Sequence, residues 1–240
     1  GVFTPYAGIV FDVTRAVTAY VSYADIFQPT TVIDENAQVI DPATGINLET
    51  GLKIALFDDQ MNISGAVFET KQDNVPQWVG ILDDGRYYYR AVDGTKTRGY
   101  EIEVAGRIGP SWNLSGGFAR SLPKDGQGQR WLVHIPTNTF KLYSSYRFDS
   151  GVLQGLTVGG NFRWQSEIEN NNPQPRGLGL RYVQDAYGVL DLMAKYSVTP
   201  RVSAQLNVNN LFDKKYFTDV QLNGWYGEPR NAVLSVRFAY

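Results

Sequence analysis

Apolar and polar residues alternate with a period of two along most of the chain. From Val202 to Asn209, Val202, Ala204, Leu206 and Val208 alternate with Ser203, Gln205, Asn207 and Asn209. A helix would scatter these residues around its surface, whereas a strand collects them into one apolar and one polar face. Leu48, Leu52, Ile54 and Leu56 likewise oppose Glu49, Lys53 and Ala55, and Tyr100, Ile102, Val104 and Ile108 oppose Glu101, Glu103 and Arg107. Residues 140–148, 156–165 and 190–196 continue the series, while 61–70 breaks it at Phe68, which falls on the parity of Asn62 and Ser64. With 5–12, 17–26, 112–121 and 232–240, the pattern predicts eleven strands, many of nine to eleven residues. Strands of that length cross a bilayer at a tilt.

The links between these strands are sorted by length. Short ones near 13–16, 57–60, 109–111, 149–155 and 197–201 alternate with long ones at 27–46, 72–95, 122–137, 168–182 and 213–230. Tight turns therefore gather at one end of the sheet and long loops at the other, the asymmetry of outer-membrane barrels. Size decides which face points inward. A closed sheet of eleven or more strands encloses a lumen wider than apolar side chains fill, since about eight strands is where the interior is just packed. The apolar face is therefore predicted to meet lipid. Glu49, Lys53, Glu101, Glu103, Arg107, Lys141, Arg147, Arg163, Asp191, Lys195 and Arg237 then line a wet interior. Two soluble sheets packed face to face remain the alternative reading.

Composition narrows the classes further. Of 240 residues, 13% are aromatic and 19% charged, too apolar for a disordered chain. A net charge of -2 rules out a basic nucleic-acid binder, so no nucleic-acid partner is expected. The lack of Cys removes disulfide scaffolds, thiolate metal sites and thiol nucleophiles. No apolar run is long enough for a transmembrane helix, which leaves a β-barrel open. The odd strand count would leave two edges unpaired in hydrocarbon, and the chain starts at Gly1 without Met or a signal sequence. It is read as part of a larger barrel, a processed product or a fragment.

Specific stretches then become recognisable. Asn209-Asn210-Leu211-Phe212-Asp213-Lys214-Lys215-Tyr216 resembles the NLFDKKY motif near the carboxyl terminus of TonB-dependent outer-membrane receptors. Tyr226-Gly227-Glu228-Pro229-Arg230-Asn231 is similar to the YGEPRN stretch before the last strand in their ferric-siderophore branch. Residues 47–53, 98–103 and 187–196 resemble three further barrel strands of that family, in family order. The resemblance implies an all-β, antiparallel transmembrane β-barrel, this chain supplying about eleven strands of its carboxyl-terminal half. The whole would have 22 strands, and the amino-terminal plug is absent from this sequence. It also implies a place in the bacterial outer membrane and TonB-driven uptake of a ferric siderophore. TonB would act through the missing amino-terminal region, and lipid and lipopolysaccharide would surround the wall. The barrel-assembly machinery would read the last strand, where Leu234, Val236, Phe238 and Tyr240 share one parity.

Within that frame NLFDKKYF is read as a structural element that ends a strand and opens the last long loop, not as a ligand contact. His134, the single histidine, is read as a solvated loop residue, and opposite charges of the inner face as cross-strand pairs bracing the wall. Ligand binding is expected at the loops: Trp78, Tyr87, Tyr88, Tyr89 and Arg90 in one; Arg130 and Trp131 in the next; Arg176 and Arg181 in the third; Trp225 and Tyr226 in the last. Aromatic faces and cations suit a bulky, often anionic iron chelate through stacking and charge-assisted hydrogen bonds. The chelate itself would hold the iron, so neither a protein metal site nor a bound cofactor is expected, and no catalytic set. The alternatives are uptake of another TonB ligand such as haem or cobalamin, and a passive outer-membrane pore. A barrel enzyme would need a Ser, His and carboxylate set, against which the single His134 weighs.

Overall fold

The computed structural model describes residues 1–170, 182–220 and 224–239. Four strands open the chain, β1 (Tyr6–Asp12), β2 (Val17–Gln28), β3 (Ala43–Leu56) and β4 (Met61–Asp73). A hairpin of β5 (Val75–Ile81) and β6 (Tyr87–Val92) follows, then β7 (Thr95–Ile108), β8 (Trp112–Lys124), β9 (Asn138–Arg147) and β10 (Leu156–Gln165). A short hairpin, β11 (Ile168–Glu169) with β12 (Val183–Gln184), precedes β13 (Tyr187–Thr199) and β14 (Val202–Asn209). A third, β15 (Phe217–Asp219) with β16 (Trp225–Tyr226), precedes β17 (Asn231–Phe238).

Eleven of these strands form one antiparallel sheet in the order β1-β2-β3-β4-β7-β8-β9-β10-β13-β14-β17. All eleven strands predicted from the alternation are there. The sheet is an open wall with β1 and β17 as its edges. The three small hairpins stand apart from it, all within connections at the long-loop end. Several wall strands run further toward that end than their alternation does: β3 begins at Ala43, β4 reaches Asp73 and β8 reaches Lys124. Beyond the bilayer both faces meet water or loops, so period two fades while the backbone ladder continues.

Because opposed residues on antiparallel strands share a face, the register sorts every side chain. Leu48, Glu69 and Arg98 lie on one face, and Gly51, Ala66, Glu101 and Ala119 on the other. The apolar face is bare: Ile102 is 54% exposed, Leu52 48% and Leu206 43%. Such a stretch of uncovered Leu, Ile and Val meets lipid rather than water. Trp112 and Tyr146 lie opposite each other on this face at the short-turn end, where an aromatic girdle marks the membrane interface. Tyr146 packs edge-on against Phe148, with ring centroids 5.1 Å apart.

The polar face is the one that the loops fold over. Asp191 accepts hydrogen bonds from the Asn210 N–H at 2.8 Å and from Asn161, and pairs with Arg163 at 2.7 Å. Arg163 also reaches the Tyr216 hydroxyl at 3.3 Å, and Tyr216 stacks on Tyr187 at 4.4 Å. Loop residues thus close over the inner side of the wall, and a buried cluster of Tyr187, Val189 and Tyr216 lies there. Further along the face Tyr20 donates to Glu49 at 2.7 Å, and the Lys53 ammonium stands 5.4 Å from the Tyr20 ring. The expected ladder of ion pairs is not continuous: among the described residues Arg163–Asp191 is the cross-strand ion pair on this face. Phe68 breaks the alternation for a local reason. Its ring lies over Gly99 on the neighbouring strand, where a Cβ would come within 2.4 Å of it. The polar face carries an aromatic there because a glycine beside it leaves the ring a bed.

Candidate functional site

The long loops build a mouth at one end of the wall. In the first hairpin Trp78 pairs with Tyr89, and the register slips between Trp78 and Gly80. That bulge leaves Val79 unpaired and lets the strand bend. The hairpin is held by Arg90, which donates to the Gln77 side chain at 2.8 Å, and by the Tyr89 N–H, which donates to the Ile33 carbonyl at 2.8 Å. The loop after β8 folds back on that strand: Lys124 bridges Arg130, and the Trp131 N–H donates to the Pro123 carbonyl. Leu132 turns the chain with φ of 52°. Trp131 and Val133 are then buried, and the Val133 carbonyl accepts the Glu169 N–H at 3.0 Å. The first long connection is thereby tied to the second, and the third to the fourth.

Between them lies a cavity of about 270 Å³ lined by Trp78, Gln77, Arg130, Trp131, His134 and Asn170, among others. It brings together Trp78, Arg130 and Trp131, three of the residues nominated from the sequence. Tyr88, Tyr89 and Arg90 line a second, wider recess with Asp34, Glu35 and Asp41. Tyr87 is exposed at the hairpin's far end and lines neither. Trp225 and Tyr226 are 66% and 72% exposed on the third hairpin, where the Tyr226 ring lies 4.5 Å from that of Phe217. Arg176 and Arg181 lie outside the described residues. The mouth therefore holds at least two separate recesses rather than one shared aromatic cluster.

His134 corrects the sequence reading. It is half-buried and lines the first cavity rather than standing in solvent. Burial holds its pKa below the ordinary histidine value, and the carboxylate of Asp219 opposes that shift. The shift favours the neutral imidazole, which offers one donor and one acceptor to the cavity that Arg130 also lines. Gln77 and Asn170 also join the cavity unforeseen. Polar loop residues without charge or ring carry no signal in sequence.

The last loop explains two of the sequence stretches as one structure. Asn210 adopts φ of 49° and is fully enclosed. Its amide donates to the carbonyls of Lys214 and Glu228, both at 2.9 Å, and its oxygen accepts the Lys214 N–H at 2.8 Å. Asp213 accepts the Arg230 N–H at 2.9 Å, and the Gly227 N–H donates to the Tyr216 carbonyl. A Cβ at Gly227 would stand 2.1 Å from the Tyr216 ring, so only glycine passes there. NLFDKKY and YGEPRN thus clamp the two ends of one loop, the structural role expected of the first.

Known proteins agree with this geometry along the whole chain. A ferric-pyoverdine 358 receptor of Pseudomonas putida is 36% identical over all of this chain and 29% of its own length. The crystal structure of the outer-membrane ferripyoverdine receptor of Pseudomonas aeruginosa, bound to ferripyoverdine, superposes with a TM-score of 0.85. It is 35% identical over 99% of this chain and 33% of that one. The alcaligin outer-membrane receptor of Bordetella pertussis superposes with a TM-score of 0.69, at 32% identity over 98% of this chain and 36% of its own. The chain thus spans about a third of the length of these relatives, and its place is the bacterial outer membrane. With residues 1–211 matching the family described as TonB dependent receptor-like, beta-barrel, a family of transport receptors rather than enzymes, the chain belongs to the TonB-dependent receptor β-barrels.

Proposed function

We propose that this chain forms part of the wall and mouth of a receptor that binds a ferric siderophore outside the cell and takes it up with energy delivered through TonB. The observation that carries the reading is the cavity of Trp78, Arg130 and Trp131, set in a chain whose whole length is 35–36% identical to ferripyoverdine receptors. Two indoles supply flat apolar surface and the guanidinium supplies charge and donors for an anionic chelate. The cavity holds about 270 Å³, below the roughly 300–1,000 Å³ of a pocket that encloses a whole ligand, so it would take one arm or face of the chelate and the other loops the rest. The iron stays inside its chelate, and the protein contributes no metal ligand, cofactor or chemical step. Coupling to TonB and insertion by the assembly machinery through β17 belong to the same reading. The outward residues Leu234 and Val236 would form the lipid-facing pattern of that strand.

Titration of the full-length receptor with ferric pyoverdine, in competition with haem and cyanocobalamin, tests the reading. Ferric pyoverdine is expected to bind and the other two to leave it bound. Trp131→Ala and Arg130→Gln are each expected to weaken it about tenfold, the effect of roughly 1–1.5 kcal/mol for a lost stacking or charge-assisted contact. Tight binding of haem or cobalamin with no response to ferric pyoverdine would move the protein to another TonB ligand.

A further inference from the structure

Asp191 of β13 divides its two carboxylate oxygens between the last loop and the wall. Oδ1 accepts the Asn210 N–H, where that loop leaves β14, and Oδ2 accepts from the Arg163 guanidinium and the Asn161 amide of β10. With its other terminal nitrogen Arg163 reaches the Tyr216 hydroxyl, six residues along the loop from Asn210. Between these two points the Asn210 side chain closes the turn onto Lys214. One carboxylate thus fixes both ends of the turn that opens the loop. The Asp191 side chain is 17% exposed and Tyr216 only 5%, so water competes little for either bond.

The wall does not need this pair. β10 and β13 stay in register without a break from Leu156 opposite Tyr196 to Gln165 opposite Tyr187, and a buried ion pair adds little stability because desolvation offsets its attraction. What the pair does fix is the direction of the loop. Tyr216 stacks on Tyr187 and leads straight into β15, whose partner strand carries Trp225 and Tyr226. The Phe217 N–H donates to the Gln184 side chain at 2.8 Å, and the Phe217 ring meets that of Tyr182 at 6.1 Å. Asp219, at the end of β15, lies within electrostatic reach of His134 in the first cavity. The last loop is therefore set against the other loops of the mouth from an anchor on the inner wall.

We propose that Asp191 is a positioning residue for ligand capture: acting through the Asn210 N–H and through Arg163 on Tyr216, it holds the hairpin of Trp225 and Tyr226 ready at the mouth. The proposal rests on the siderophore reading for its ligand. A loop freed from this anchor samples other arrangements, and the apparent affinity falls by the fraction of receptors left in the competent one. The loss appears in the association rate, because the ligand meets fewer receptors ready to bind it.

The test uses the full-length receptor in a non-ionic detergent, with ferric pyoverdine as the probe. Asp191→Asn leaves an oxygen for the Asn210 N–H and removes the charge that holds Arg163. It is expected to weaken binding about tenfold, mostly in the association rate, for a loop left competent roughly a tenth of the time. Hydrogen exchange over residues 214–220 is expected to quicken by about tenfold or more, while the thermal midpoint of the barrel stays at the wild-type value. Tyr216→Phe keeps the stack on Tyr187 and loses the hydroxyl, and is expected to weaken binding less. The double variant Asp191→Asn/Tyr216→Phe is expected to bind no worse than Asp191→Asn, since both changes cut one connection. Arg147→Gln, which breaks an exposed ion pair with Asp149 at the short-turn end, is expected to change none of these. Wild-type exchange in Asp191→Asn, or faster exchange with wild-type affinity, overturns the proposal. A fall in affinity that comes with a lower thermal midpoint overturns it as well, since Asp191 would then only brace the wall. A wild-type receptor that does not bind ferric pyoverdine overturns the siderophore reading instead, and the exchange result still decides whether Asp191 holds the loop.

Discussion

Asn210 closes the last loop with one side chain. It donates to two carbonyls and accepts one N–H inside a buried turn. Asn210→Ala would leave those three groups without partners and place Ala in a left-handed conformation. The expected cost is about 2–4 kcal/mol of local stability, read as faster hydrogen exchange over residues 210–230. His134 sets a pH dependence of known sign. Its folded pKa lies below the ordinary value of about 6.5, so as pH falls through that value the opened loop takes up a proton that the closed loop refuses. Protection of residues 125–137 is therefore expected to weaken from pH 7.5 to 5.5 after correction for intrinsic exchange, and His134→Gln to flatten the change. Neither role was fully legible in sequence. The motif around Asn210 marked a structural position, but its partner Glu228 is eighteen residues away, and His134 gave no sign of which loops would cover it.

At the scale of the strand, one face of the wall belongs to lipid and the other to water, and neighbouring residues test this. Ile102→Arg, midway along β7 on the outward face, is expected to destabilise the barrel by about 2–4 kcal/mol in vesicles. Glu103→Gln, one residue on and facing inward, is expected to change it by less than about 0.5 kcal/mol. Equal costs in reversible unfolding would reverse the assignment of faces. Strands were legible wherever lipid and water imposed a period of two, which is why all eleven wall strands could be read. The β5–β6 hairpin could not: Pro76 and the bulge after Trp78 interrupt its period, and it lies above the bilayer, where no single face is apolar. Its turn did carry a signal, since Asp84-Gly85 precedes β6 and Gly85 adopts φ of 87°.

Across the whole molecule, the wall fixes where the loops can meet and the loops make the site. Trp78 belongs to one connection and Arg130 and Trp131 to the next, about fifty residues on, and they share a cavity because β4, β7 and β8 are neighbours in the sheet. Composition could nominate these aromatics and cations; only the strand order could tell which of them converge, and it separates Tyr88, Tyr89 and Arg90 into another recess. The central claim is uptake of a ferric siderophore driven through TonB. The most direct measurement is accumulation of iron-55 from labelled ferric pyoverdine by cells making the full-length receptor, with and without TonB. Saturable accumulation that disappears without TonB or when the proton gradient is collapsed is the predicted result. Accumulation that persists without TonB and rises linearly with concentration would identify a passive pore and contradict the account.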